Sequence, residues 1–215
     1  GAVDGTGRIV WGDQLLAIYA AELLERRPGV EVIADVKASQ VLFDEVARLG
    51  GKPVMAPPGH SVIKSMMAES GAPLAGEMSG HVFFADGYYG YDDAIYAAIR
   101  LLDIVARSGR SLADLVSALP QTVNTPEIRI EIPEERKFTV VDTVMEQARA
   151  DGLDINDVDG LRVNGADGWW LLRASNTENA LVVRCESVNA DGLERLKDAV
   201  SGYLADAGVA TTGEI

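Results

Sequence analysis

Cysteine is nearly missing from this chain: Cys185 is the only one in 215 residues. A lone thiol cannot close an internal disulfide or build a multi-cysteine zinc site, and it reads as a reducing, cytoplasmic setting. Histidine is almost as scarce, with only His60 and His81. Basic residues are outnumbered, 19 against 33 acidic, for a formal charge of −14. Such a field repels phosphate backbones, so nucleic acid is not an expected partner. A small phosphorylated ligand would need a cleft that gathers positive charge locally. No stretch approaches the ~18–20 consecutive apolar residues that span a bilayer, so no membrane association is expected. No basic segment followed by an apolar run opens the chain, so no secretory signal is read. The HExxH, P-loop, GxGxxG and GxSxG signatures are absent as well. What remains, 47% hydrophobic and 24% charged residues, is ordinary globular composition.

The pattern along the first half alternates. Residues 8–10 end a strand, and Asp13 is placed to cap a helix running to Arg27. Val30–Val36 is a short apolar run suited to a strand covered on both faces. A helix over 39–49, a strand at 52–55, a helix over 61–69, strands at 72–77 and 81–84, and a helix over 92–108 follow. This spacing predicts an α/β domain with a mixed, largely parallel sheet. A short helix then ends at Pro120. Beyond the connector 121–126 lie an extended run (127–132), a helix (137–150), three closely spaced strands (160–164, 168–173, 180–186) and a helix over 191–207. Three strands so close together imply antiparallel hairpins. The expected organisation is an α/β domain over 1–120, a hinge at 121–126, and a smaller α+β domain with an antiparallel sheet over 127–215.

Three loops carry chemistry. In extended backbone, Glu77, Ser79 and His81 of Gly76-Glu-Met-Ser-Gly-His81 would point the same way and suit vicinal sugar hydroxyls. A polar connecting turn accounts for the same residues equally well. After the apolar strand 169–172, Arg173-Ala-Ser-Asn-Thr-Glu178 offers a guanidinium, hydroxyls and backbone N–H groups to an anion. A hairpin turn whose hydroxyls bond only their own backbone is the competing reading. The third set is Lys37, closing strand 30–36, and His60, ahead of a helix N-terminus. The adjacent Asp92-Asp93 pair is read as helix capping, not as a metal site, and Cys185 as a buried thiol. Tyr88, Tyr89 and Tyr91 are read mainly as packing residues.

These loops resemble the α-D-phosphohexomutase family. Gly76–His81 is similar to its sugar-recognition loop, and Arg173-Ala-Ser-Asn-Thr177 to its C-terminal phosphate-binding loop. Ala34-Asp-Val-Lys37, Gly59-His-Ser61, Tyr88-Tyr-Gly-Tyr-Asp-Asp93 and the opening Asp4–Asp13 extend the likeness over essentially the whole chain. Met78 and the Arg-Ala-Ser-Asn-Thr form of the phosphate loop favour the bacterial phosphomannomutase/phosphoglucomutase branch over the phosphoglucosamine mutase branch.

The resemblance implies a hexose 1-phosphate/6-phosphate interconversion through a 1,6-bisphosphorylated intermediate, assisted by Mg²⁺. It assigns Glu77 and Ser79 to ring hydroxyls, and His81, His60 and Lys37 to assisting roles near the transferring group. Arg173, Ser175, Asn176 and Thr177 would hold the distal phosphate. The family's phosphoserine and Asp-x-Asp-x-Asp-Arg metal loop do not occur here, so no metal ligands are expected in this chain. The chain is expected to be the third and fourth domains only, inactive without the N-terminal domains, with the last domain closing over bound phosphosugar. The alternative to an enzyme fragment is a stand-alone phosphosugar-binding module.

Overall fold

The chain opens on a hairpin, β1 (Ala2–Val3) against β2 (Ile9–Val10). Asp4 closes it: Oδ1 accepts from the Thr6 and Arg8 N–H groups and the Thr6 hydroxyl, and Oδ2 accepts from Arg8 Nε. The computed structural model describes residues 1–211 and 215, and the chain divides into two units, Gly1–Pro120 and Gln121–Ile215.

In the first unit the order continues α1 (Gly12–Arg26), β3 (Glu31–Asp35), α2 (Gln40–Arg48), β4 (Lys52–Ala56), α3 (His60–Ser70), β5 (Leu74–Gly76), β6 (Val82–Phe84), β7 (Tyr91–Asp92), α4 (Ala94–Ser108) and α5 (Leu112–Ser117). The sheet order is β4-β3-β5-β6-β7, with β3 parallel to β4 and β5, and antiparallel pairing from β5 to β7. Alternation along β3 explains its apolar run. Val32 and Ala34 join the core built by α1, α2 and α4, while Ile33 meets Ile63 and Met67 of α3 on the other face. The unit is therefore a three-layer α/β/α sandwich.

Two expected caps are corrected. Asp13 lies inside the first turn of α1, because the extended residue before the helix is Trp11, whose N–H donates to Gln14 Oε1 at 3.1 Å. Buried Asp13 instead accepts from the Ser39 N–H at 2.9 Å, tying the start of α1 to the loop after β3. Likewise α4 begins at Ala94. Asp93 alone caps it, accepting from Ile95 and Tyr96 N–H, while Asp92 belongs to β7.

The second unit comprises β8 (Val123–Asn124), β9 (Ile128–Glu131), α6 (Glu134–Ala150), β10 (Asp154–Asn156), β11 (Leu161–Gly165), β12 (Gly168–Ala174), β13 (Ala180–Ser187) and α7 (Ala190–Asp206). All pairings are antiparallel, in the order β10-β11-β12-β13-β8, with β9 also on β13. Trp170, Leu172, Leu181, Val183 and Cys185 pack against Val140 and Val144 of α6 and Val200 and Leu204 of α7. Cys185 is fully buried, and burial pushes its thiol up to about 12. On the opposite face the Arg162 guanidinium stacks 3.7 Å over the Trp169 ring, and Trp169 Nε1 donates to Glu186 Oε1. The segment expected as a hinge is bonded into this sheet. β8 pairs with β13, the Thr125 N–H donates to the Cys185 carbonyl, and Thr125 Oγ1 accepts from the Cys185 N–H.

Candidate functional site

In open α/β sheets, loops at the carboxyl ends of parallel strands face the ligand crevice. Here those ends carry Asp35 and Lys37 after β3, His60 after β4, and Glu77 after β5. Two buried carboxylates bind the three loops together. Glu77 Oε1 accepts from the Gly59 N–H at 2.8 Å, and Asp35 Oδ1 accepts from the Met78 N–H at 3.0 Å. Asp35 Oδ2 lies 3.7 Å from Lys37 Nζ. Burial raises the Asp35 carboxyl to about 6, against the opposing pull of the Lys37 ammonium and the Met78 hydrogen bond. The nearby charges of Glu77 and Asp13 add to the rise.

Residues 77–81 are not the extended run expected from the sequence. The Glu77 N–H donates to the His81 carbonyl and the Gly80 N–H to the Glu77 carbonyl, closing a tight turn with Gly80 at φ +101°. Extended alternation is lost where glycine allows this left-handed conformation. Glu77 therefore turns inward and is buried, whereas Ser79 and His81 are exposed. Gly12 underlies the turn: a Cβ there would stand 2.6 Å from the Glu77 and Met78 carbonyl oxygens. The helix start can approach this closely only without a side chain.

His60 and His81 come together, with ring centroids 6.1 Å apart. His81 Nδ1 donates to Asp92 Oδ2 at 2.6 Å, because a carboxylate can only accept. That contact leaves Nε2 as the imidazole's second working nitrogen. Asp92 thus joins the candidate site through His81, hidden in the sequence by its neighbour: the Asp-Asp pair reads as one capping motif, and only the β6–β7 pairing separates the two roles. Tyr88 packs as expected, stacked on Tyr96 at 3.9 Å and donating to Asp93.

In the second unit Arg173 lies within β12, not in the turn after it, and Nε donates to Asp159 Oδ2 at 2.5 Å. The Ser175 hydroxyl oxygen accepts from the Thr177 and Glu178 N–H groups at 3.4 and 3.1 Å, shaping a turn in which Asn176 and Thr177 are exposed. Asp159 was not legible in the sequence, being one acid in the run Asp154–Asp159. Among the described residues, no group of three or more His, Cys, Asp or Glu side chains is gathered to hold a metal ion. No helix among them is long and apolar enough to cross a membrane.

Residues 11–123 match the family described as phosphoglucomutase/phosphomannomutase, alpha/beta/alpha domain III, and residues 127–202 match its C-terminal domain. The phosphomannomutase/phosphoglucomutase of Pseudomonas putida is 43% identical over 204 residues, covering 95% of this chain and 44% of the relative. The phosphoglucomutase of Neisseria meningitidis serogroup A is 40% identical over 206 residues, covering 95% and 45%. A crystal structure of a phosphoglucomutase/phosphomannomutase family protein from Burkholderia thailandensis superposes with a TM-score of 0.89 at 39% identity, covering 99% of this chain and 44% of that one. The chain thus spans less than half the length of these relatives. Two consecutive domain matches, in the same order as the two units of the structure, establish that the chain belongs to the phosphoglucomutase/phosphomannomutase family and carries its domain III and C-terminal domain.

Proposed function

We propose that this chain is the sugar- and phosphate-binding half of a phosphohexomutase that interconverts mannose or glucose 1-phosphates and 6-phosphates through a bisphosphorylated intermediate. The observation that carries the reading is the cross-tying of three strand-end loops by Glu77 and Asp35, which gathers Lys37, His60, Glu77 and His81 in one place. The Glu77 carboxylate accepts hydrogen bonds from ring hydroxyls, and the Ser79 hydroxyl accepts or donates them. His81, held through Nδ1 by Asp92, takes up or returns at Nε2 the proton of the hydroxyl that gains or loses the phosphoryl group. Lys37 and His60 counter negative charge near the transferring group. Arg173 with the 175–177 turn grips the distal phosphate, a remote contact that orients the reacting hydroxyl instead of making a bond. The phosphoryl-donating serine, the Mg²⁺ ligands and the partner domains would belong to the remainder of a longer enzyme, in a cytoplasmic setting.

Titrating the 215-residue chain with glucose 6-phosphate, and separately with glucose, tests the assignment. Saturable perturbation of the amides of Ser79, His81 and Thr177 is expected with the phosphosugar, and a weaker response limited to residues 77–81 with glucose. Supplied with glucose 1-phosphate, glucose 1,6-bisphosphate and Mg²⁺, the chain alone should give no steady turnover. Turnover above a protein-free control would refute the division of labour.

A further inference from the structure

Lys137 breaks two local rules. Its side chain is only 3% exposed, although lysine is almost never fully buried without a partner that needs it. It also sits one turn into α6, at the end where the helix dipole disfavours a cation. Glu134, in the same turn, offsets part of this cost with an ion pair at 2.6 Å. The Lys137 ammonium also lies 5.2 Å from the centroid of the Phe138 ring and donates to the main-chain oxygen of Glu178 at 3.3 Å. Glu178 is where the 175–178 turn ends. The near end of that turn is fixed by the Ser175 N–H donating to the Ala180 carbonyl at 2.9 Å. Its outer flank is open, a depression of about 570 Å³ lined by Arg129, Glu131, Pro133, Glu178 and Asn179. With that flank open, the far end is held by hydrogen bonds: the Glu178 N–H donates to Ser175 Oγ at 3.1 Å, the Ile132 N–H to the Asn179 carbonyl at 3.0 Å, and the charge-assisted bond from Lys137 is the one that fixes the Glu178 carbonyl.

We propose that Lys137 is a positioning residue for the phosphate-binding turn, holding the Glu178 carbonyl so that the N–H groups and hydroxyls of residues 175–177 keep the shape an anion needs. The proposal rests on the reading of Arg173 and residues 175–177 as a phosphate grip. An ammonium behind the turn also adds positive field on an otherwise acidic molecule. Arg129 supports the same residue from outside through its Nε contact with the Glu178 carboxylate at 3.0 Å, an exposed pair that contributes less.

The test follows the Thr177 and Glu178 amides of the ¹⁵N-labelled chain during titration with glucose 6-phosphate. Lys137→Met should weaken the affinity about tenfold or more, as expected for one charge-assisted hydrogen bond. Glu134→Gln removes the same ion pair but leaves the ammonium on the carbonyl, so it should bind within twofold of wild type even if it melts earlier. Lys137→Met binding at the wild-type constant, or Glu134→Gln losing as much as Lys137→Met, would overturn the positioning role. Should Lys137→Met not fold, Lys137→Gln is read in its place and should lose affinity at least several-fold. Arg173→Ala separates the two readings. If it binds as wild type, or wild type shows no saturable shift at Thr177, the phosphate-grip reading fails and this proposal with it. If Arg173→Ala is impaired while Lys137→Met is not, only the role of Lys137 fails.

Discussion

His81 and Asp92 stand eleven positions apart, yet their Nδ1 and Oδ2 atoms meet at 2.6 Å because β6 and β7 fold back on each other. The carboxylate fixes the imidazole's tautomer and its ring orientation. In a full-length enzyme carrying this half, Asp92→Asn should lower kcat about ten- to hundredfold, a part of the ~10²–10⁴-fold that general acid–base catalysis supplies, and change KM little. Steady-state kinetics that show the loss in KM alone would assign Asp92 to substrate binding instead.

Glu77→Gln should fold normally, since the amide oxygen still accepts from the Gly59 N–H. On the proposed reading, loss of the charge weakens its hydrogen bonds to sugar hydroxyls by roughly 1–3 kcal/mol. Catalytic efficiency of the full-length enzyme on both mannose and glucose phosphates should fall accordingly. Efficiency equal to wild type on both would remove Glu77 from the sugar site.

Stability should carry a signature of Asp35. The folded protein keeps this proton to about pH 6, whereas the unfolded chain releases it near its ordinary value of 3.8. Between those values the folded state binds more protons, so stability falls as pH rises, and the loss is complete above about pH 6. A shift of about two pH units corresponds to about 3 kcal/mol. Asp35→Asn lacks this term, and urea denaturation should show it gaining on wild type by about 2 kcal/mol between pH 4.5 and 7, the rest of the difference falling below pH 4.5. A constant difference across the range would contradict the raised carboxyl.

Alanine at Gly12 would ordinarily favour a helix by about 1 kcal/mol. Here the new methyl would stand 2.6 Å from two backbone oxygens and 2.7 Å from the Gly80 nitrogen. Backbone cannot rotate away as a long side chain can, so overpacking should win, with a net loss of about 1–3 kcal/mol. Thermal melts would give the stability change. Amide shifts of residues 77–81 should move even where the rest of the spectrum does not.

The sequence was most legible where burial imposes a period. The β3 run announces itself because four of its five residues are buried, and α2 and α4 because their buried residues, Leu42 and Val46 in one and Ala97, Leu101 and Ile104 in the other, recur at helical spacing. Two-residue strands leave no such trace, so β7 and β8 were read as parts of a helix start and a connector. The candidate residues could be named from their chemistry, but not their pairings. Which carboxylate meets His81, Arg173 or the Gly59 N–H depends on strand register and on glycine turns that bring distant positions together. Lys137 and Arg162 were invisible for the opposite reason. Their charge suggests a solvated surface, while one lies behind a turn and the other flat on Trp169.

The state of Cys185 makes the molecule convenient to instrument. At pH 7–8 a thiol held at about 12 in a fully buried strand offers almost no thiolate to a maleimide or a disulfide reagent. A reporter cysteine at exposed Asn176 or Ser79 would then be the reactive thiol, with the native residue left in the core it fills. Fluorophores attached singly at these two positions would report separately on the turn after β12 and the turn after β5, in a protein whose own cysteine stays silent until it unfolds.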